Sequence, residues 1–383
     1  MKINALLSAG LLGLGWMLGL GSAPCDAKER DPRPREESVV QLALLLDTSN
    51  SMDGLISQAK SQLWRVVNEF NGARQHGRQT VVEVALYEYG NNSLSAGTNY
   101  VRQVLPLTRD LDAVSEALFK LTTNGGEEYR GAVIREALDK LSWDKDANTY
   151  KAVFIAGNEP FRQGPIEPEK VCRSAIGKGV VINTIHCGDA RQGQESGWEM
   201  GARVAEGKFM TINQDQAVVH IPAPQDEEIT KLSTDLNKTY IGYGNAAPAA
   251  AAKQMAQDAN SSSLKAEGAA VQRALTKASA NYCNTGWDLV DAQQRGGVKL
   301  EEIREADLPA EMKSMSLVER KAYVDAKAAE RLKIQARIKE LNEQRLKFIA
   351  ERESRAVGEK TLDQAICLAV REQASAREIE FDQ

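Results

Sequence analysis

Three histidines and five cysteines in 383 residues leave little room for imidazole or thiolate chemistry. No C-x-x-C pair occurs, so Cys/His zinc modules are excluded. Positive charge is not in excess: 48 Lys and Arg stand against 53 Asp and Glu, for a net charge of −5. A general nucleic-acid binder needs a basic face to displace counterions, and this balance argues against one. Aromatics are 5% of the chain, too few for a single-strand stacking platform. There is no P-loop, no H-E-x-x-H and no G-x-S-x-G elbow, which removes the commonest nucleotide, metalloprotease and hydrolase signatures.

What is present is enough for a sizeable core. Apolar residues are 42% and charged residues 26%, a globular composition with room for two domains. Met1-Lys2 and the apolar run from about Ala5 to Gly21 read as a secretory signal peptide over residues 1–27, cut after Ala27. Retention as an anchor, or lipidation at Cys25, are the alternatives; beyond this run no second spanning segment occurs. The expected location is periplasmic or secreted, with no membrane span in the mature chain, and an oxidising compartment follows. Removal of Cys25 would leave an even set of cysteines, Cys172, Cys187, Cys283 and Cys367. Cys172–Cys187 and Cys283–Cys367 are the candidate disulfides.

Residues 28–37 are charged and carry two prolines, a tether. Val39–Leu46 then runs apolar without alternation, as a strand buried on both faces does. Leu55, Ile56, Ala59, Leu63, Val66, Val67 and Phe70 follow at helical spacing. Strands are predicted at 80–89, 100–107, 151–157, 180–187 and 209–213, and helices at 53–70, 111–121, 130–141, 168–178, 197–205 and 226–236. Such alternation builds an α/β fold: a mostly parallel, doubly wound sheet, here with one antiparallel edge strand. Ligands in these folds bind beyond the carboxyl ends of the strands, so the loops after Asp47, Gly157 and Cys187 form the expected working rim.

Asp47-Thr48-Ser49-Asn50-Ser51 follows the first strand directly. Alternate residues Asp47, Ser49 and Ser51 can turn hard oxygens toward one point, which suits Mg²⁺, Mn²⁺ or Ca²⁺; helix N-capping is the plainer alternative. Asn124-Gly125-Gly126 precedes the third helix and is followed by Gly131-Ala132, while Ala156-Gly157-Asn158-Glu159-Pro160 ends the fourth long strand. On these three elements and the element order, residues 38–243 resemble the von Willebrand factor A (integrin I-domain-like) family. The resemblance implies a metal-ion-dependent adhesion site with Asp47, Ser49 and Ser51 on a divalent cation. A protein partner's acidic side chain would complete the cation's shell. The chain departs from the family at the second loop, where Glu127-Glu128 replaces the usual Thr, and at the third, where Thr-Asp-Gly has become Ala156-Gly157-Asn158. Glu127, Glu128, Asn158 and Glu159 are therefore the candidate substitutes as ligands, and the two glutamates would favour a neutral or hydroxyl-bearing group.

Catalysis on the same residues is the weaker reading. Asp47 as a phosphoryl acceptor lacks the second acid, whose place Ser49 takes; a serine nucleophile would need His186 and Asp189 brought to it. Cys172 and Cys187 both fall near the rim, where a bridge would add ~3 kcal/mol by chain entropy; two buried free thiols are the alternative. Arg191 and Trp198 suit a partner contact or, for Trp198, packing.

Residues 244–280 are Ala/Ser-rich, a linker or weak helix, expected helical beyond Leu264. Residues 281–383 form a charged helical region. Leu317–Arg355 contains no Pro or Gly, and Val324, Ile334, Ile338, Leu341 and Phe348 give an interrupted seam. A coiled coil, or a helical hairpin with Thr361–Arg371 folding back, would suit it. The sequence thus reads as an exported, non-catalytic binding protein of the cell envelope. The rival is a structural or assembly factor acting through its helical arm with a vestigial metal site.

Overall fold

In the computed structural model, residues 37–216, 220–264, 268–295, 297–353 and 361–381 are described. The expected leader, cleavage site and tether before residue 37 lie outside them. The chain begins with β1 (Glu37–Asp47), buried on both faces over nearly its whole length. On one side it pairs in parallel with β3 (Arg78–Tyr89), on the other with β5 (Tyr150–Gly157). β6 (Val181–Cys187) and β7 (Phe209–Ile212) extend the parallel set. Beyond β3 lie β2 (Arg74–Gln75) and β4 (Val101–Thr108), both antiparallel to it. The strand order is β7-β6-β5-β1-β3-β2, with β4 also on β3, and a last short strand, β8 (Ile379–Glu380), lies beyond β2. Because β1 is central and the chain leaves it toward both edges, its carboxyl end is a switch point, where such folds place ligands.

Helices cover both faces. One face packs α1 (Asp53–Asn68) and α2 (Leu111–Lys120) over Leu44, Leu46, Val82, Leu86 and Phe154. The other packs α3 (Arg130–Lys140), α4 (Pro168–Ile176) and α6 (Trp198–Arg203) over Ala43, Leu45, Tyr87, Val153 and Ile155. Period-two alternation along β1 sorts these residues to their faces. A short α5 (Ala190–Glu195), capped by Asp189 Oδ1, occupies part of the glycine-rich stretch after β6.

A helical layer follows: α7 (Asp226–Asn237), α8 (Ala247–Ser263), α9 (Ala269–Lys277), α10 (Leu289–Gln294), α11 (Ala310–Lys313) and α12 (Leu317–Glu353). It has its own apolar centres, Ile229, Leu236, Val271, Leu275, Ile338 and Leu341 in one, and Ile241, Leu289, Leu300, Met312 and Val324 in another. Composition predicts helix beyond Leu264, yet α8 already spans Ala247–Ser263. Tertiary contact overrides its serines: Ser261 Oγ accepts from Trp64 Nε1 at 3.0 Å.

The chain then returns. α13 (Leu362–Ser375), with a capping box at Thr361, buries Leu362, Ala365, Ile366, Ala369 and Val370 among the α1-side core of the sheet. It packs on α1 and the sheet, rather than folding back on the long helix as the hairpin expectation had it. β8 (Ile379–Glu380) then pairs with β2, so the last residues join the edge of the same sheet. All described residues belong to one compact unit, Glu36–Gln383.

The expected disulfides do not form: Cys172, Cys187, Cys283 and Cys367 are all free. Cys172 lies in the α4-side core and Cys187 in the α1-side core, so the sheet separates them. Cys367, on α13, hydrogen-bonds Glu69, whereas Cys283 lies within reach of the Asp291 charge. Rim adjacency in the sequence does not reveal which face each thiol takes.

Candidate functional site

Asp47 ends β1 with no solvent exposure. It stands opposite Tyr89 on β3, while Gly157 at the end of β5 stands opposite His186 on β6. The turn after it is held by backbone bonds: Thr48 N–H to Tyr89 O at 2.8 Å and Asn124 N–H to Thr48 O at 3.0 Å. Ser49 N–H donates to Asp47 Oδ1 at 2.8 Å. α1 starts only at Asp53, after Met52, without a side-chain cap. The serines are therefore not N-caps, which removes the plainer reading of D-x-S-x-S.

Ser49 is buried, and its Oγ makes no hydrogen bond of regular geometry among the described residues, although the hydroxyl acts with the Ser49 N–H to stabilise the Asp47 carboxylate. Ser51 is exposed, and its Oγ accepts from Asn158 Nδ2 at 3.0 Å. The other amide atom, Asn158 Oδ1, is buried and unpartnered among the described residues. Glu128 is buried beside Asp47, while Glu127 and Glu159 are exposed. The sequence-selected set thus divides: Asp47, Ser49 and Glu128 form a buried floor, Ser51 and Asn158 a linked pair above it, and Glu127 and Glu159 an outer edge.

The floor leaves no space for added atoms. A Cβ at Gly157 would lie 2.8 Å from Asp47 Oδ2 and 2.6 Å from the Tyr89 hydroxyl. At Gly90, with φ +82°, a Cβ would lie 2.9 Å from Asp47 Oδ1 and 2.8 Å from Glu128 Cγ. Only glycine suits that backbone and that approach.

Arg130, the first residue of α3, is wholly buried and points into this floor. Its Nη2 donates to Asp47 Oδ2 at 3.2 Å. Its Nη1 donates to Gln163 Oε1 at 2.6 Å, Glu128 O at 2.7 Å and Pro160 O at 3.3 Å. The guanidinium lies 5.7 Å from the Tyr89 ring centre and 5.4 Å from that of Trp198, within cation–π range. Trp198 is a buried packing residue whose Nε1 donates to Glu159 O at 2.9 Å. Arg191 pairs with Glu195 on the surface.

Sequence reasoning does not single out Arg130. A signal exists: a cation in a helix's first turn opposes the macrodipole, so its presence there calls for a nearby anion.

Burial raises the Asp47 carboxyl, against the opposing pull of Arg130. Glu128 is pushed up to about 6, by burial first and by the Asp47 charge second. Burial lowers His186, with Arg130 acting in the same direction. Both His186 ring nitrogens lack partners among the described residues.

A divalent cation fits this arrangement poorly. Ser49 Oγ and Asn158 Oδ1 are hard oxygens with unspent acceptor capacity, as a cation would want. Yet each Asp47 oxygen is already engaged, Oδ1 by Ser49 N–H and Oδ2 by a full positive charge. Among the described residues no group of three or more His, Cys, Asp or Glu is placed to hold a metal.

Fold and rim define a doubly wound α/β domain with the candidate site at the strands' carboxyl ends. Residues 41–197 match the von Willebrand factor type A domain family, and the chain carries a domain of that family. Among solved structures it is similar to the conserved hypothetical protein BatB from Bacteroides thetaiotaomicron, at 15% identity over 45% of this chain and 90% of that one, with a TM-score of 0.35. It is also similar to proximal thread matrix protein 1 from the mussel byssus, solved with a zinc-occupied adhesion motif, at 17% identity over 47% of this chain and 43% of that one, with a TM-score of 0.36. No curated protein matches the sequence.

Proposed function

We propose that the protein is a non-catalytic binding protein whose von Willebrand factor A domain engages a protein partner through the rim above β1, β5 and β6. The observation that carries this reading is the layered rim itself. A rigid floor of Asp47, Ser49, Glu128 and Arg130 underlies the exposed Ser51, Glu127 and Glu159 and the half-buried Asn158. Recognition groups on loops held by a stiff scaffold are what binding sites require. The outer edge offers two carboxylates, a hydroxyl and an amide, a set that complements Lys, Arg or other donors on the partner better than an acid. The apolar run Ala5–Gly21 supports export to the cell envelope. Among the described residues no helix is long and apolar enough to cross a membrane.

The assembly-factor reading has one observation in its favour. Val318, Leu332 and Leu346 on α12 are 78%, 57% and 54% exposed.

Photo-crosslinking in the producing cells separates the two. A photoreactive residue at Ser51 or Glu159 is expected to capture one discrete envelope protein, and one at Leu332 is not. Capture from Leu332 alone would transfer the function to the helical layer.

A further inference from the structure

We infer that the Arg130 guanidinium is this rim's built-in cation, so that the rim binds its partner without a divalent metal. Four observations meet here. The guanidinium sits on the strand-end aspartate that the family resemblance assigns to the metal, and neither side chain is reached by solvent. It is fixed there by acceptors from three directions, Gln163 Oε1, Glu128 O and Pro160 O, in addition to Asp47. It projects from the first turn of α3, a position that a cation occupies at a loss unless an anion lies in front of it. The two loops that depart from the family's ligand pattern are the ones that seat it: Glu128 and Pro160 lend their carbonyls.

A dication bound by the same carboxylate would stand beside a buried like charge, where repulsion is poorly screened. Moving Arg130 aside would strand a buried charge and three acceptors. A guanidinium seated on Asp47 thus accounts for the lost threonine and the lost aspartate together. A fixed organic cation neutralises Asp47, and ligands meant for a mobile ion become unnecessary. Arg130 acts as a positioning residue: it holds the Asp47 turn and the Glu128 and Pro160 loops in one geometry.

The test uses the full chain freed of metal with EDTA. Adding Mn²⁺ is expected to leave the free-ion EPR signal undiminished, and Mg²⁺, Mn²⁺, Ca²⁺ or Zn²⁺ is expected to leave Tm unchanged. Arg130→Ala is expected to lower Tm in EDTA, and millimolar Mn²⁺ should restore about 3 °C or more of it. Arg130→Ala/Ser49→Ala should lose that restoration. Stoichiometric Mn²⁺ uptake by the wild type that Ser49→Ala abolishes would overturn the inference. So would a folded Arg130→Ala indifferent to Mn²⁺, because the place would then not be a cation's. If Arg130→Ala fails to fold, the wild-type titration decides alone. Where it concerns a partner the inference rests on the binding reading, and the outcomes separate. Rim crosslinks that survive EDTA support both, and crosslinks that vanish in EDTA sink only this one. An absence of rim crosslinks sinks only the binding reading.

Discussion

Arg273 Nη1 donates to Asp112 Oδ1 at 2.6 Å, and both side chains are buried. Arg273 belongs to α9 in the helical layer and Asp112 to α2 on the α/β sheet, so one charge pair joins the two layers. Tyr282 OH adds a second bond to Asp112 at 2.6 Å, Asp258 takes the Arg273 Nε, and the guanidinium lies 4.7 Å from the Trp64 ring centre. Removing one partner of a buried pair strands the other. Arg273→Met is expected to destabilise the protein by about 3–5 kcal/mol in urea unfolding. Arg273→Met/Asp112→Asn should lose less than the two single changes together, because the stranded carboxylate is gone. Strict additivity would show that the pair does not couple the layers.

A second buried cluster sets a pH dependence. Arg331 Nη1 bonds Asp288 Oδ2 at 2.7 Å and Asp291 Oδ1 at 2.8 Å. Burial, and next the Asp288 charge, push Asp291 from 3.8 up to about 6 against the pull of Arg331. The folded state therefore holds this proton more tightly than the unfolded chain. Its contribution is full below the unfolded pKa and is lost as pH rises toward 6, by about 3 kcal/mol at most. Unfolding free energies measured from pH 4 to 7 should fall less steeply for Asp291→Asn than for wild type. Equal slopes would assign the effect elsewhere.

The returning helix is core, not appendage. Ile366 on α13 is buried against the sheet, while Leu332 on α12 is 57% exposed. Ile366→Ala is expected to lose about 2–5 kcal/mol, and Leu332→Ala to stay within about 0.5. Comparable small losses would mean that α13 is only loosely docked.

Gly157→Ala would force a methyl against Asp47 Oδ2 and the Tyr89 hydroxyl, each under 3 Å away. A loss of about 1–3 kcal/mol is expected from this overpacking. Gly286, where an added methyl would meet nothing within 4 Å, is the control and should change little. Thermal unfolding of the two variants side by side makes the comparison.

All four described cysteines should alkylate in denaturant without prior reduction, and dithiothreitol should leave Tm unchanged. Burial pushes the Cys283 thiol up to about 11 and Cys172 to about 12, so both should react slowly in the native state. A mass that shows any of these residues joined as a disulfide would contradict the free thiols.

Much of the α/β frame was legible residue by residue. β1, β5 and β6 are unbroken apolar runs because both of their faces are covered, and the helices between them announce themselves by three-and-four spacing. The two-residue strand β8 was not legible, since its pairing with β2 across some three hundred residues leaves no local pattern. Nor was the seating of α13: its apolar face fits a partner helix as well as a sheet, and only three-dimensional closure selects between them.

By itself the sequence determined the alternating fold, the switch point after β1 and the identity of the rim loops, because these follow from burial periodicity and chain order. Tertiary structure decided what fills that rim. Whether Asp47 faces an ion or a guanidinium depends on how far one side chain at the start of α3 reaches, and local pattern carries no record of that distance. The thiols were decided in the same way, since the sheet that separates Cys172 from Cys187 exists only once the chain has folded.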